Sequence, residues 1–255
     1  MASAALSHLT QLLDSKHLAG TLTRPMEGGR PCIGTGVSLL DDAEHLAGGW
    51  PKGQLSEVIG SPSSGRTSVV MATLAAVTQQ GGMVALVDVA DRLDPASAEA
   101  AGVVLDRLLW VRGPQLSWGA SQMTVGDLAV QRGLRAFDLI VRAGGVAVVV
   151  FDVADVPARH LRSLAASTWL RLGYVLEGRD TVGLVMGAQP IGRSAHGVSL
   201  TLQAKGKWTG RSAQSRRLTG LAVTPDVSQR VRRVRSAQPS GKEATPCLFA
   251  LSATL

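Results

Sequence analysis

The apolar positions of the chain fall into two kinds of run. Short, almost continuous runs stand at Leu55–Ile59, Met83–Val87, Leu108–Val111, Gly145–Phe151 and Thr181–Met186, each bounded by glycine or a charged residue. Runs of this length with no polar alternation predict strands buried on both faces. Between them the apolar residues recur at helical spacing. Val69–Gln80 is rich in Ala, Val, Leu and Met, and Val125–Ala143 carries Leu128, Val130, Leu134, Phe137, Ile140 and Val141. Helices are predicted there, from Asp94-Pro95 through Gly102, and as one piece from Ala158 to Leu176. Gly81-Gly82 marks a helix end. Val198–Gln203 and Leu218–Thr224 read as a closing hairpin, and Cys247–Ala253 as a last strand. Strands alternating with helices predict an α/β fold: a mostly parallel sheet with helices on both faces.

The two ends differ from this core. Ala2–Leu13 has Leu6, Leu9, Leu12 and Leu13 at helical spacing, followed by Gly20, Pro25, Gly28, Gly29 and Pro31. A short amphipathic helix on a tether either docks on another molecule or packs on its own domain. Thr35-Gly36, Leu39–Asp41 and Gly48–Gly53 read as a turn into a short helix and a glycine-rich return to the sheet. The organisation expected is residues 1–31 as helix and tether, 32–224 as core, and 225–255 as a basic segment with a last strand.

The chemistry concentrates between the Leu55–Ile59 run and the helix that follows. Gly60-Ser61-Pro62-Ser63-Ser64-Gly65-Arg66-Thr67-Ser68 has the spacing of a phosphate-binding loop, G-x-x-x-x-G-K-[ST], with Arg66 in place of the lysine. Its glycines let successive N–H groups turn inward, and the following helix adds its free N–H groups and dipole. Thr67 is placed to offer a hydroxyl to Mg2+. Arg66 keeps the charge, but its planar fork does not replace a compact ammonium. A ligand-free Gly/Ser turn is the plain alternative. The Gly145–Phe151 run ends at Asp152, the Walker B pattern, whose carboxylate approaches the metal. An aspartate capping the next helix is the plain alternative there.

At 255 residues and 45% hydrophobic content, the chain is long and apolar enough for one large core. No apolar run reaches the roughly 18 residues of a membrane helix. No leader is apparent, and Cys32 and Cys247 make no disulfide framework, so a cytoplasmic location is expected. The net charge of +7 is unevenly placed. Thr201–Thr245 holds ten basic residues against Asp226 and Glu243. Within it, Arg230, Arg232, Arg233 and Arg235 crowd together, a stripe expected to meet DNA or an acidic protein surface.

Several of these residues carry a resemblance. Thr35-Gly36, Leu40-Asp41, Gly48-Gly49, Pro51, Gly53, Glu57, Gly60, Ser63-Ser64-Gly65, Asp88 and Leu93-Asp94-Pro95 resemble, in order, the core of the RecA recombinases. The likeness runs from about Ile33 to Thr224 and is densest up to Pro95. It implies a RecA-like core with ATP and Mg2+ as ligands. It places Asp94 at the adenine and Gln189 as the nucleotide-sensing glutamine, and likens the N-terminal helix to the segment that docks on a neighbouring subunit. The departures are Arg66 for the loop lysine, Ala90 for the catalytic glutamate with Asp91 one place off, and Ser97 for the adenine-stacking tyrosine. The stretches after Asp152 and Gln189 are too short for the family's two DNA-binding loops, and its C-terminal domain has no counterpart.

That pattern of losses resembles the ImuA family, accessory proteins of SOS-induced, error-prone translesion synthesis at DNA damage. The resemblance implies a non-enzymatic factor with no catalytic residue and with ATP and Mg2+ binding weak or lost. Its implied partners are RecA, an inactive Y-family polymerase relative of the ImuB type and, indirectly, an error-prone replicative-type polymerase. Leu6, Leu9, Leu12 and Leu13 are the expected RecA contact. Two other readings stay open: a DNA-stimulated ATPase or recombinase paralogue working through Arg66 and Asp91, and a circadian or chemosensory RecA-like module, which normally keeps the loop lysine.

Overall fold

Eight strands form one sheet in the computed structural model, which describes residues 31–114, 123–161, 164–192, 197–212, 215–229 and 247–250. Contacts divide the chain into two units, Met1–Pro31 and Cys32–Leu255. The expected N-terminal helix, with Leu6, Leu9, Leu12 and Leu13, lies outside the described residues, as do Arg230, Arg232, Arg233 and Arg235.

The second unit opens with a two-stranded ribbon, β1 (Cys32–Ile33) antiparallel to β2 (Trp50–Pro51), around the short helix α1 (Ser38–Asp41). The main sheet contains β3 (Leu55–Gly60), β4 (Val84–Asp88), β5 (Leu108–Arg112), β6 (Val148–Asp152), β7 (Val182–Gly187), β8 (Val198–Thr209), β9 (Arg217–Gln229) and β10 (Cys247–Ala250). Their order is β10-β9-β8-β3-β7-β6-β4-β5, parallel from β8 to β5 and antiparallel from β8 to β10. The predicted α/β fold with a mostly parallel sheet and a closing hairpin is the fold observed.

The apolar runs do what double-sided burial requires. Successive residues of a strand point to opposite faces. Val84, Leu86, Val148 and Val150 enter one core, against Val69, Val70 and Leu74 of α2 (Arg66–Gln79). Ala85, Val87, Val149 and Phe151 enter the other, against α4 (Met123–Ala143) and α6 (Ala166–Leu176). Phe151 sits between Phe137 of α4 and Trp169 of α6, its ring centroid 6.2 and 6.5 Å from theirs. Aromatic trios of this kind add to area burial through edge-to-face geometry. Helix α3 (Pro95–Ala100) stops before Gly102, which takes a φ of +93°.

Two elements depart from the sequence reading. The helix expected over Ala158–Leu176 is two: α5 (Ala158–Leu161) and α6, with Ala165 extended at the start of the second. His160 of the first piece is buried, with its Nδ1 2.8 Å from Asp127 Oδ1 on α4. The closing hairpin is also much longer than the two short strands expected. Its ladder runs from Val198↔Gln229 to Thr209↔Arg217, with an irregularity at Lys207/Trp208. Backbone pairing needs no apolar side chains, so the polar outer half left no hydrophobic signal. Pro225 is accommodated beyond the Val223↔Cys247 pair, where β9 is bonded on one side only among the described residues.

Candidate functional site

In an open parallel sheet, ligands meet the carboxyl ends of the strands. Here the ends of β3, β4 and β6 bring together the Gly60–Ser68 loop, Asp88 and Asp152. Asp88 and Asp152 are register partners on adjacent strands.

The loop has the backbone of a phosphate cradle. Gly65 starts α2 with a φ of +92° and Ser63 has a φ of +64°. Gly60 admits no side chain, because a Cβ there would lie 2.1 Å from Ser64 Oγ. Ser64 N–H donates to the Ser61 carbonyl at 3.1 Å, which closes the turn. Ser61, Pro62, Ser63, Thr67 and Ser68 are exposed, whereas Ser64 and Gly65 are buried.

Arg66 does not face outward. Its side chain is only 7% exposed. One guanidinium nitrogen donates to the Gly60 carbonyl and the other meets Asp155 Oδ1 at 3.1 Å. Asp155 also lies 3.8 Å from Arg92 Nε, so the carboxylate bridges two arginines. The length and planarity of the guanidinium make this possible: it spans back to the strand end and still presents a second N–H. The one cation within the loop is thus satisfied inside the protein.

The metal side is altered in the same direction. Asp152 is pushed up to about 7, first by burial. The Ala154 N–H, 2.9 Å from its Oδ1, opposes this; the carboxylates of Asp88 and Asp155 add to the rise, and Arg66 offsets part of it. Asp88 is fully buried, and its Oδ2 accepts from the N–H groups of Arg92 and Leu93 at 2.8 Å and from Trp110 Nε1 at 3.3 Å. Its Oδ1 is buried without a hydrogen-bond partner. Among the described residues, no group of three or more metal-ligating side chains has the geometry to hold an ion.

The other expected site residues are placed as follows. Asp94 caps α3: it accepts from Ser97 N–H at 3.1 Å and from the Ser97 hydroxyl at 2.5 Å, and these bonds lower its pKa. Gln189 lies in the exposed turn after β7. Asp91, in the left-handed region at φ +54°, is bound bidentately by Arg112 at 2.7 and 2.9 Å, and that arginine stacks 4.4 Å over Trp110. Ala90 offers no carboxylate beside it.

The backbone therefore fits a phosphate, but the side chains do not fit a magnesium triphosphate. The cation is paired with Asp155, burial pushes the strand-end Asp152 up to about 7, and the nearest alternative base is held by Arg112. Sequence reasoning missed Asp155. Its carboxylate stands three residues beyond Asp152, but only the fold brings it, 89 residues on, to Arg66. It named Glu57, buried on β3, only within the resemblance and gave it no role. Glu57 accepts from Ile191 N–H at 3.0 Å, from Gly192 N–H and from the Ser199 hydroxyl at 3.1 Å. The strand that feeds the loop is thereby tied to the segment that carries Gln189.

Residues 27–162 match the family model of the RecA N-terminal domain. The chain is 36% identical to Protein RecA of Borrelia hermsii over 128 residues, 50% of this chain and 32% of the relative. To Protein RecA of Synechococcus elongatus it is 40% identical over 120 residues, 47% of this chain and 29% of the relative. To that of Lactococcus lactis subsp. cremoris it is 33% identical over 150 residues, 58% of this chain and 35% of the relative. The chain thus spans about a third of the length of these curated relatives.

Proposed function

The chain belongs to the RecA N-terminal domain family, and from that premise we propose that it is a non-hydrolytic accessory protein. It acts in SOS-induced, error-prone translesion synthesis, and it is of the ImuA type. The observation that carries this is the engagement of Arg66 by Asp155 and the Gly60 carbonyl. Phosphoryl transfer relies on a cation at the transferred group and a positioned water. Arg66 is turned away from the first task, and Ala90 cannot perform the second. A core that has given up catalysis can keep its contact surfaces, because the two rest on different residues. In this reading the N-terminal helix meets RecA. The Arg230–Arg235 stripe meets the inactive Y-family polymerase relative or DNA. ATP and Mg2+ bind weakly or not at all.

The competing reading, a DNA-stimulated ATPase, needs Arg66 and Asp91 to act. Both are held in ion pairs. Nucleotide binding by the purified protein, followed by hydrolysis with and without single-stranded DNA, separates the two. Turnover near that of an ordinary recombinase overturns the accessory reading.

A further inference from the structure

The amino ends of the strands, opposite the phosphate loop, hold a cavity of about 870 Å3. Its wall is built from Val77 near the end of α2, Gly144–Ala147 ahead of β6, Arg179–Thr181 ahead of β7, Lys52, and the ribbon strand β1. No residue of the Gly60–Ser68 loop reaches it. The size falls within the roughly 300–1,000 Å3 of small-molecule sites. Gly144 and Gly145 have φ of +74° and +76°, and a Cβ on either would meet nothing within 4 Å. The backbone there is open to close approach by a ligand.

Hydrogen-bond accounting gives the chemistry of the wall. Helices α2, α4 and α6 end near this side of the sheet, and a helix C-terminus disfavours an anion. Their last carbonyls are already taken. Val77 accepts from Gly82 N–H at 3.0 Å and Ile140 from Gly144 N–H at 3.2 Å. The Arg179 guanidinium donates to the Val175 carbonyl at 2.7 Å and to that of Arg142 at 3.4 Å. The acids are spent or remote. Asp41 accepts from Thr35 N–H at 2.8 and 3.1 Å. Asp180 has a side chain 95% exposed and lies 3.7 Å from Lys52 Nζ, a surface pair that holds the ammonium weakly. What remains unspent is donors. Among the described residues, neither Gly145 N–H nor Val146 N–H has an acceptor, and no carboxylate pairs with Arg179.

We propose that this cavity binds a small organic anion, its carboxylate or phosphate group against Lys52, Arg179 and the Gly145–Val146 N–H groups and its apolar body against Ile33, Val77 and Ala147. A few convergent polar groups on an otherwise apolar wall are what such sites use to fix orientation. The guanidinium suits an oxyanion, and the bare glycine backbone lets the anion reach the N–H groups. A neutral ligand would leave the two cations unused. A metal ion would find only Asp41, already bonded, and Asp180, out in solvent. The site lies at the opposite end of the sheet from the Gly60–Ser68 loop, and it does not depend on the translesion reading.

The test is calorimetric titration of the full-length protein with sodium octanoate and with octyl phosphate, each below its micellar range. Octanol and ATP serve as comparisons. At least one of the two anions binds saturably, and octanol binds about tenfold more weakly or worse, since it lacks the charged hydrogen bonds. The tighter of the two anions identifies the headgroup as carboxylate or phosphate. ATP does not displace either. The bound anion slows alkylation of Cys32 by iodoacetamide, read by peptide mapping, because that half-buried thiol lines the same cavity. Lys52→Glu reverses the charge and lowers affinity by about tenfold or more, whereas Lys52→Arg keeps it within about threefold. Gln80→Trp, at an exposed position just past α2 that lines the cavity, fills space without changing charge and lowers affinity by about tenfold. Equal thermal unfolding of the variants confirms intact folds. The proposal is overturned if neither anion binds saturably, if octanol binds as tightly, if ATP displaces the anion, if Cys32 is not protected, or if Lys52→Glu or Gln80→Trp keeps full affinity.

Discussion

Arg66 and Asp155 stand 3.1 Å apart across 89 residues of sequence, and the pair closes the loop that the family uses for phosphate. The arginine is buried and the aspartate is nearly half exposed. Breaking the pair therefore affects the arginine more, since it is left with the Gly60 carbonyl alone.

Asp155→Ala is expected to lower stability by about 1–2 kcal/mol, less than a fully buried pair because one partner is solvated. The same change frees the guanidinium and removes a negative charge from the loop. Affinity for a fluorescent ATP analogue rises by about fivefold, in line with a surface charge interaction near 1 kcal/mol. Calorimetry and fluorescence titration read both effects. An affinity that falls or stays constant means that Asp155 does not hold the loop closed.

Arg66→Lys tests cation and base separately. Lysine cannot reach the Gly60 carbonyl and Asp155 in the same forked way, so nucleotide binding improves. Hydrolysis stays at background, because Ala90 still supplies no base and Asp91 remains with Arg112. A coupled-enzyme assay with and without single-stranded DNA measures this. Turnover restored by the single change would show that the missing carboxylate is not needed.

The strand pattern was legible because burial on both faces leaves no polar alternation, as in Val148–Phe151. The loop was legible because glycine is obligatory at 60 and 65. Asp155 was not, since its role exists only once β3 and β6 lie two strands apart in the sheet. The break between α5 and α6 was equally hidden. Helical apolar spacing continues across it, and neither glycine nor proline stands between Ala158 and Ala166 to mark it. The outer half of the closing hairpin was missed because its hydrogen bonds are backbone bonds and its side chains are polar.

Asp152 makes stability depend on pH in a defined direction. Its folded pKa, about 7, lies above the unfolded 3.8. Below the lower value both states are protonated and there is no penalty. As pH rises from about 4 to about 7, ionisation favours the unfolded chain and stability falls. Asp152→Asn keeps an oxygen for the Ala154 N–H and removes this dependence. The variant gains about 2 kcal/mol relative to wild type at pH 8, allowing for partial exposure, and little at pH 4. Urea unfolding across that range gives the curve, and equal pH profiles for the two proteins would contradict the raised pKa.

Glu57→Gln addresses the tie between β3 and the Gln189 segment. The carboxylate accepts from two N–H groups through one oxygen and from Ser199 through the other. Glutamine keeps one accepting oxygen for the two N–H groups, and its amide nitrogen can donate to the Ser199 hydroxyl, so the bonds are kept while the charge is lost. A loss of about 1 kcal/mol is expected, because charge-assisted hydrogen bonds become neutral ones. Hydrogen exchange should speed up at Ile191 and Gly192 before the core strands are affected. Uniform destabilisation with no local change would place the role of Glu57 elsewhere.

The partner assignment is best tested by substitution. Cutting the chain near residue 224 would sever β9 inside its ladder, since the strand continues to Gln229 and pairs with β8 throughout. It would also remove β10, which pairs with Gly220–Val223. Binding abolished by such a cut would report misfolding as readily as a missing interface. Two side-chain variants avoid this. Leu6→Ser, Leu9→Ser, Leu12→Ser and Leu13→Ser strip the apolar stripe from the N-terminal segment, and Arg230→Ala, Arg232→Ala, Arg233→Ala and Arg235→Ala neutralise the basic one. Pull-down with RecA and with the polymerase relative should show a crossed result. The leucine variant loses RecA and keeps the polymerase relative; the arginine variant loses the polymerase relative and keeps RecA. Sedimentation of the leucine variant settles whether the N-terminal segment instead joins two copies of this chain, since a homodimer would then fall apart. Both interactions persisting in both variants would show that the two ends do not divide the partners between them.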